Sequence, residues 1–216
     1  MLSERTYTRV MDASAWDKRY DTSELVWTST PNRFLVEQFA DLPAGSVLDL
    51  ACGEGRNAIW LAENGWQITG IDFSPKGIEK AKQLAASRKV EGQWIVADAT
   101  TWTPDQTYDA VIVFYLQLPQ PEIAKAMKVA LSALANGGTL LLVAHDLRNL
   151  AEGYGGPQDE SVLMTAEQII DYVTAAEINS DFEIVIEQAG VVERPVETDD
   201  GTHIALDTLV RLRRVA

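Results

Sequence analysis

The sequence predicts an α/β protein: a parallel sheet with helices on both faces, ending in an antiparallel hairpin. Three observations carry this. Short apolar runs alternate with stretches of helical periodicity through the first two thirds of the chain, the pattern of βαβ units with right-handed crossovers. The run Ala110 to Tyr115 is continuously apolar, as in a strand covered on both faces. In the last third, Phe182 to Val196 and His203 to Arg213 are strand-like and joined through Asp199-Asp200-Gly201, a hairpin signal.

The elements follow in order. A first segment, to about residue 30, mixes Trp16, Tyr20 and Trp27 with charges. A helix is expected from Thr30-Pro31, with Thr30 as cap and Pro31 at the first helical position. Val47 to Leu50 is a strand, Ala58 to Ala62 a helix, and Gln67 to Ile71 a second strand. Ser74-Pro75 opens a helix with Ile78, Ala81 and Leu84 on one face. Trp94 to Ala97 is the third strand and Ala110 to Tyr115 the fourth. Ile123, Met127, Ala130 and Leu134 mark a helix that Asn136-Gly137 is expected to end. Thr139 to Val143 is the fifth strand. A glycine-rich loop, Gly153 to Pro157, precedes Thr165-Ala166-Glu167-Gln168, a capping box before a further helix. The expected organisation is one domain over 1–216: a lid-like segment 1–30, a core 31–146, and a C-terminal helix and hairpin 147–216.

The 216 residues are 46% apolar and 23% charged, an ordinary globular composition. Cys52 is the single cysteine, so no internal disulfide forms, which suits a reducing compartment. No apolar run approaches the roughly 18 residues needed to cross a bilayer. A soluble, cytoplasmic protein is expected, with no membrane partner. The net charge of −14 opposes binding to phosphate backbones. Arg211, Arg213 and Arg214 read as a polar strand face, so no nucleic acid is expected. Oligomeric state is not legible.

The chemistry centres on Val47-Leu48-Asp49-Leu50-Ala51-Cys52-Gly53-Glu54-Gly55-Arg56-Asn57-Ala58. A strand runs into two glycines and a helix begins, so its N–H groups face whatever binds at the carboxyl edge of the sheet. Gly53, Gly55 and Ala58 also satisfy the G-x-G-x-x-A dinucleotide pattern, so a nicotinamide oxidoreductase is one reading. Asp72, ending the second strand, suits the ribose hydroxyls of either cofactor. Three features favour S-adenosylmethionine (AdoMet). Asp49 lies inside an apolar strand, where an acid needs a partner such as an ammonium. Asp98 ends the third strand, where it can accept from an adenine amino group. The chain closes in the hairpin. Cys52 reads as packing, and His203 as structural.

The run Leu48 to Asp72, the Asp98 position and the terminal hairpin resemble the class I AdoMet-dependent methyltransferases. Trp16-Asp17-x-Arg19-Tyr20 and Pro31-Asn32 are similar to the tellurite-resistance and thiopurine-type small-molecule branch. The resemblance covers roughly residues 16 to 213. It implies a Rossmann-like sheet of seven strands in order 3-2-1-4-5-7-6, strand 7 antiparallel. It implies that Gly53 and Gly55 lie against the methionine moiety, Asp49 orders its amino group and Asp72 holds the ribose. Phe73 would flank the adenine, Asp98 would bond its amino group, and the Ala99 N–H its ring. Where the branch often has His-Leu-Pro after the fourth strand, this chain has Gln117-Leu118-Pro119; a base at that point is absent.

The expected activity is methyl transfer to a small-molecule acceptor by in-line displacement, with a noncatalytic AdoMet-binding module as a further alternative. The acceptor pocket is expected from the N-terminal segment, Phe114 and Tyr115, His145 and Asp146, and the loop Gly153 to Gly156. His145 is the candidate base, with Asp146 or Tyr115 orienting the acceptor. Tyr20 and Trp27 are expected to close over the cofactor, with no metal.

Overall fold

The structure, a computed structural model, describes residues 13–22, 25–26, 28–177 and 182–215. Its seven strands form one sheet in the order β3-β2-β1-β4-β5-β7-β6. They are β1 (Ser46–Leu50), β2 (Gln67–Asp72), β3 (Gln93–Val96), β4 (Tyr108–Phe114), β5 (Leu134–His145), β6 (Ile184–Thr198) and β7 (Gly201–Arg214). The first five pair in parallel, whereas β7 runs antiparallel to both β5 and β6.

The helices are α1 (Ala13–Tyr20), α2 (Arg33–Phe39), α3 (Arg56–Glu63), α4 (Pro75–Arg88), α5 (Gln120–Ala133), α6 (Asn149–Glu152) and α7 (Ala166–Glu177). Alternation along the strands feeds two cores. Val47, Ile68, Ala110, Ile112, Leu141 and Val143 meet Phe34, Leu35 and Phe39 of α2 and Ala58 and Leu61 of α3. Leu48, Leu50, Val111, Val113, Leu140 and Leu142 face the other way, onto Met127 and Leu131 of α5 and Ile169 and Val173 of α7. Covering on both faces explains why the central strands read as continuous apolar runs.

Two expected boundaries shift. The cap of α2 is Asn32, whose side chain accepts from the Phe34 N–H, while Thr30 donates to Thr28. Asn32 also donates its own N–H to Asn57 Oδ1, 2.9 Å, so tertiary anchoring joins capping preference there. α5 ends at Ala133, before Asn136-Gly137, because Leu134 already pairs with Tyr108. The capping box forms as expected: Gln168 N–H donates to Thr165 Oγ1 and Thr165 N–H to Gln168 Oε1.

β1 and β4 are neighbours, but a crossover toward β2 follows β1 and one toward β5 follows β4, so the sheet order reverses between them. The carboxyl ends there open a crevice. The hairpin adds a wall. Asp207 of β7 is opposite His145, the last residue of β5, so residues 201–206 and their β6 partners continue past the carboxyl edge of the sheet.

Candidate active site

The loop after β1 is built from unusual backbone. Ala51, Gly53 and Gly55 take φ values of 67°, 55° and 77°. Gly55 is the residue before α3, and a Cβ there would come within 2.6 Å of the Trp94 ring. Its missing side chain therefore admits an indole from β3 as well as freeing the turn. At Gly53 a Cβ would lie 2.8 Å from the Tyr20 hydroxyl.

Asp49 sits on β1 just below this loop, 2% exposed. Its Oδ2 is buried with no hydrogen-bond partner among the described residues. Burial pushes its pKa from 3.8 up to about 7; the Ala58 N–H pulls it back and the Asp72 charge pushes it further up. Asp72, also buried, accepts from the Gly53 N–H at 2.9 Å and the Ser74 N–H at 2.9 Å. Burial raises its pKa and those two bonds lower it. A carboxylate has about four acceptor sites, so two remain for further donors. Phe73 is half-buried beside it. Asp98 is exposed, with Oδ1 held by the Thr100 N–H and hydroxyl, and Ala99 is buried.

The N-terminal helix docks over the loop. Trp16 and Tyr20 are buried and stack with centroids 5.8 Å apart. Asp17 accepts from Ser74 Oγ and the Lys76 N–H, fastening α1 to the start of α4. Glu54, 3% exposed, accepts from Lys80 Nζ and the Val26 N–H, both at 3.0 Å. Trp27 lies outside the described residues.

A second cluster stands across the crevice, and its hub was not anticipated from the sequence. Asp207, fully buried on β7, accepts from the Tyr115 hydroxyl at 2.7 Å and from Arg194 Nε at 2.7 Å. Its Oδ1 is 3.3 Å from His145 Nδ1, and neither atom has another partner among the described residues. Burial pushes Asp207 up, but the His145 contact and the Arg194 charge outweigh it and hold the carboxyl below its ordinary range. Tyr115 takes φ 52°, lies tilted against the His145 ring with centroids 4.6 Å apart, and accepts from Asn32 Nδ2 at 3.2 Å. Burial and the Asp207 charge raise its pKa. A bulky residue in left-handed backbone persists where its surroundings over-determine it. Gly156 of the glycine loop packs on the imidazole; a Cβ there would be 3.2 Å from Nδ1.

Asp146, a candidate for orienting the acceptor, is engaged within the protein. It is buried, with Oδ1 accepting from the Arg148 N–H and Oδ2 from the Thr208 hydroxyl. The acid that meets the imidazole is Asp207. The signal was in the sequence: Asp207 interrupts the apolar run Ile204 to Val210 as Asp49 interrupts β1. His203 stacks on Tyr154, centroids 4.1 Å apart, joining hairpin to glycine loop. Arg211 and Arg213 both pair with Glu187. Among the described residues no group of acidic, histidine or cysteine side chains has metal-site geometry, and no helix is long and apolar enough to cross a membrane.

Comparison with known proteins bears on this geometry. Residues 47–138 match the family model described as a methyltransferase domain. The chain is 30% identical over 192 residues to the trans-aconitate 2-methyltransferase of Streptomyces coelicolor, covering 78% of this chain and 63% of that protein. The chain thus spans less than two thirds of that relative. Among solved structures, the N-methyltransferase NodS of Bradyrhizobium japonicum superposes with TM-score 0.69 at 17% identity, over 93% of this chain and 97% of that one. TehB of Haemophilus influenzae gives 0.66 at 18%, over 94% and 67%. At such identities the two structures show the fold alone. Sheet order, glycine loop and sequence match agree: residues 47–138 match a methyltransferase domain, and the chain resembles the class I AdoMet-dependent methyltransferases.

Proposed function

We propose that this protein transfers the methyl group of AdoMet to a small-molecule acceptor held between Tyr115, His145 and the glycine loop. The observation that carries the reading is Asp49: a buried carboxylate oxygen without a partner, under a glycine turn that opens a helix N-terminus. That is a fit for an amino-acid ammonium, and a nicotinamide cofactor carries none. Asp72 would hold the ribose, Phe73, Asp98 and Ala99 the adenine, and Tyr20 would cover the cofactor. The Streptomyces relative, named for a small organic acid, supports a small-molecule acceptor. One cysteine and an acid-rich surface suit the cytoplasm.

When bound, AdoMet supplies a methyl carbon on a sulfonium, whose neutral thioether leaving group needs no acid. The protein's contribution is then position and one proton. Tyr115 and the hairpin wall would fix the acceptor in line with the methyl. His145 would take the acceptor's proton at Nε2, because Asp207 beside Nδ1 favours the tautomer with its proton on that nitrogen. This dyad stands in for the histidine missing from Gln117-Leu118-Pro119. Parallel equilibrium titrations with AdoMet and NADH test the cofactor: AdoMet binding is expected, and binding of NADH alone would overturn the reading. A screen of thiols, phenols, amines and organic acids for S-adenosylhomocysteine release then separates an enzyme from a noncatalytic binding module.

A further inference from the structure

The two oxygens of Asp207 face different partners. Oδ2 accepts from the Tyr115 hydroxyl and from Arg194 Nε, both at 2.7 Å, whereas Oδ1 lies 3.3 Å from His145 Nδ1. A hydroxyl has one proton, so Tyr115 donates to Asp207 when the group on its other side is itself a donor. That group is the side chain of Asn32, buried, with Nδ2 3.2 Å from the Tyr115 oxygen. An amide carries an acceptor at one end and a donor at the other, and this one is held one way round. Its Oδ1 caps α2 by accepting from the Phe34 N–H at 2.9 Å, which leaves Nδ2 for Tyr115. The Asn32 backbone is tied down too, through its N–H to Asn57 Oδ1 on α3. A tyrosyl proton turned toward Asn32 would set donor against donor, and would leave the phenol oxygen against Asp207 Oδ2, acceptor against acceptor. In a buried network such a mismatch is costly. Other groups around the imidazole leave this order undisturbed. Gly156 presents no side chain to it, and Asp146, the next residue, accepts from the Arg148 N–H and the Thr208 hydroxyl.

We propose that Asn32 is a positioning residue for the methyl-transfer base: its amide aims the Tyr115 hydroxyl at Asp207 Oδ2, which leaves Oδ1 for the His145 Nδ1 proton and the Nε2 lone pair for the acceptor. The cap of α2 thus sets the tautomer of an imidazole at the end of β5. The acceptor's proton enters at Nε2, and the Nδ1 proton stays on the ring beside Asp207. This rests on the reading of His145 as base in a methyltransferase.

Heteronuclear NMR of the imidazole nitrogens, on protein saturated with S-adenosylhomocysteine, reads the tautomer. The chain has two histidines, and the signal absent from His145→Ala identifies its own. In wild type the neutral Nδ1–H form should exceed the Nε2–H form about tenfold or more, the factor given by a hydrogen bond to a charged group. Asn32→Ser keeps a good cap but is too short to meet Tyr115 as well. It should cut that ratio about threefold to tenfold, the range of one ordinary hydrogen bond. Asn32→Asp also caps well, but accepts at both oxygens and should draw the tyrosyl proton to itself, with at least as large a loss. Tyr115→Phe should lower the ratio similarly, and combining it with Asn32→Ser should lower it no further, because the two act as one line. Each Asn32 variant should bind S-adenosylhomocysteine within about threefold of wild type. Thermal melting checks folding; if the Asn32 variants do not fold, Tyr115→Phe decides, and an unchanged ratio there overturns the proposal. A wild-type ratio in both Asn32 variants would make Asn32 a helix cap and nothing more, and additive losses in the double variant would take Tyr115 out of the line; either overturns the proposal. Failure of S-adenosylhomocysteine to bind the wild type would overturn the underlying function, and the positioning role with it.

Discussion

An acid inside an apolar strand must find a partner or a proton, and Asp49 and Asp207 solve that problem differently. Asp207 has its partners within the protein, and its pKa is lowered. Asp49 lacks one, and its pKa rises from 3.8 to about 7. A carboxyl that holds its proton more tightly when folded stabilises the fold at low pH. That contribution is present below about pH 4 and lost as pH rises through about 7, a few kcal/mol in all. Asp49→Asn is therefore expected to raise the melting temperature of the ligand-free protein at pH 8 while weakening S-adenosylhomocysteine. Wild-type affinity should improve up to about tenfold per pH unit below 7 and level off above, since the ammonium needs the ionised acid. A pH-independent affinity, or an unchanged Kd in the variant, would show that Asp49 does not meet the ammonium. At the dyad, His145→Ala should slow methyl transfer about 10²–10⁴-fold, with AdoMet binding intact. Asp207→Asn should lower turnover and shift its pH profile, since the tautomer is no longer held. A near-wild-type rate for His145→Ala, on an acceptor protonated at neutral pH, would remove the base. Asp49 was legible because glycines follow it. Asp207 needs register with His145, and only strand pairing supplies that.

Elements near the site divide into those that local sequence specifies and those that tertiary contacts decide. The box at Thr165 to Gln168 is local chemistry and reads directly. Asn32 displaces Thr30 as the α2 cap because its backbone also reaches Asn57, a residue on another element. Tyr115 reads as strand, yet its left-handed backbone turns its hydroxyl to Asp207, 92 positions away. The N-terminal segment showed only aromatic density, and the structure adds its fastenings. Asp17 holds α1 to α4, and Glu54 with Lys80 clasps the backbone at Val26. Such a segment is expected to open to admit cofactor and close to exclude water. Amide exchange over residues 13–30 should slow on saturation with S-adenosylhomocysteine. Glu54→Gln removes the charge facing Lys80 and should speed exchange in the free protein, with a smaller effect at the sheet. Equal exchange with and without ligand would leave the segment a static wall.

The molecule as a whole assigns its two tasks to different stretches of chain. Every residue expected to hold the cofactor comes from the first half: apart from Trp27, they lie on α1, on β1 and the loop after it, and at or just past the ends of β2 and β3. The acceptor side is shared with the last third, through Asp207, Arg194 and the glycine loop. That explains an asymmetry in what the sequence disclosed. Cofactor residues lie in one compact motif, whereas the acceptor wall joins Asn32, Tyr115, His145 and a hairpin that meet only once the sheet is complete. The division is testable by removing the overhang. Pairing of β5 with β7 spans Thr139 to His145 against Arg213 to Asp207, and the Asp146 N–H still donates to the Leu206 carbonyl, so residues 195–204 at the hairpin tip lie outside that ladder. Pro195 is paired with Ile204, and Arg194 with Ala205. Replacing residues 195–204 by Asn-Gly, a two-residue turn suited to a hairpin, keeps Arg194 and Asp207 but removes His203 and its stack on Tyr154. The shortened protein is expected to fold and to bind S-adenosylhomocysteine within about threefold of wild type, roughly 0.65 kcal/mol. Its methyl transfer should drop about tenfold or more, because the glycine loop loses its tie and water enters beside His145. Titration and turnover on the same preparation decide it. Equal loss of both would mean that the hairpin supports the whole crevice, and full activity would mean that the acceptor never meets this wall.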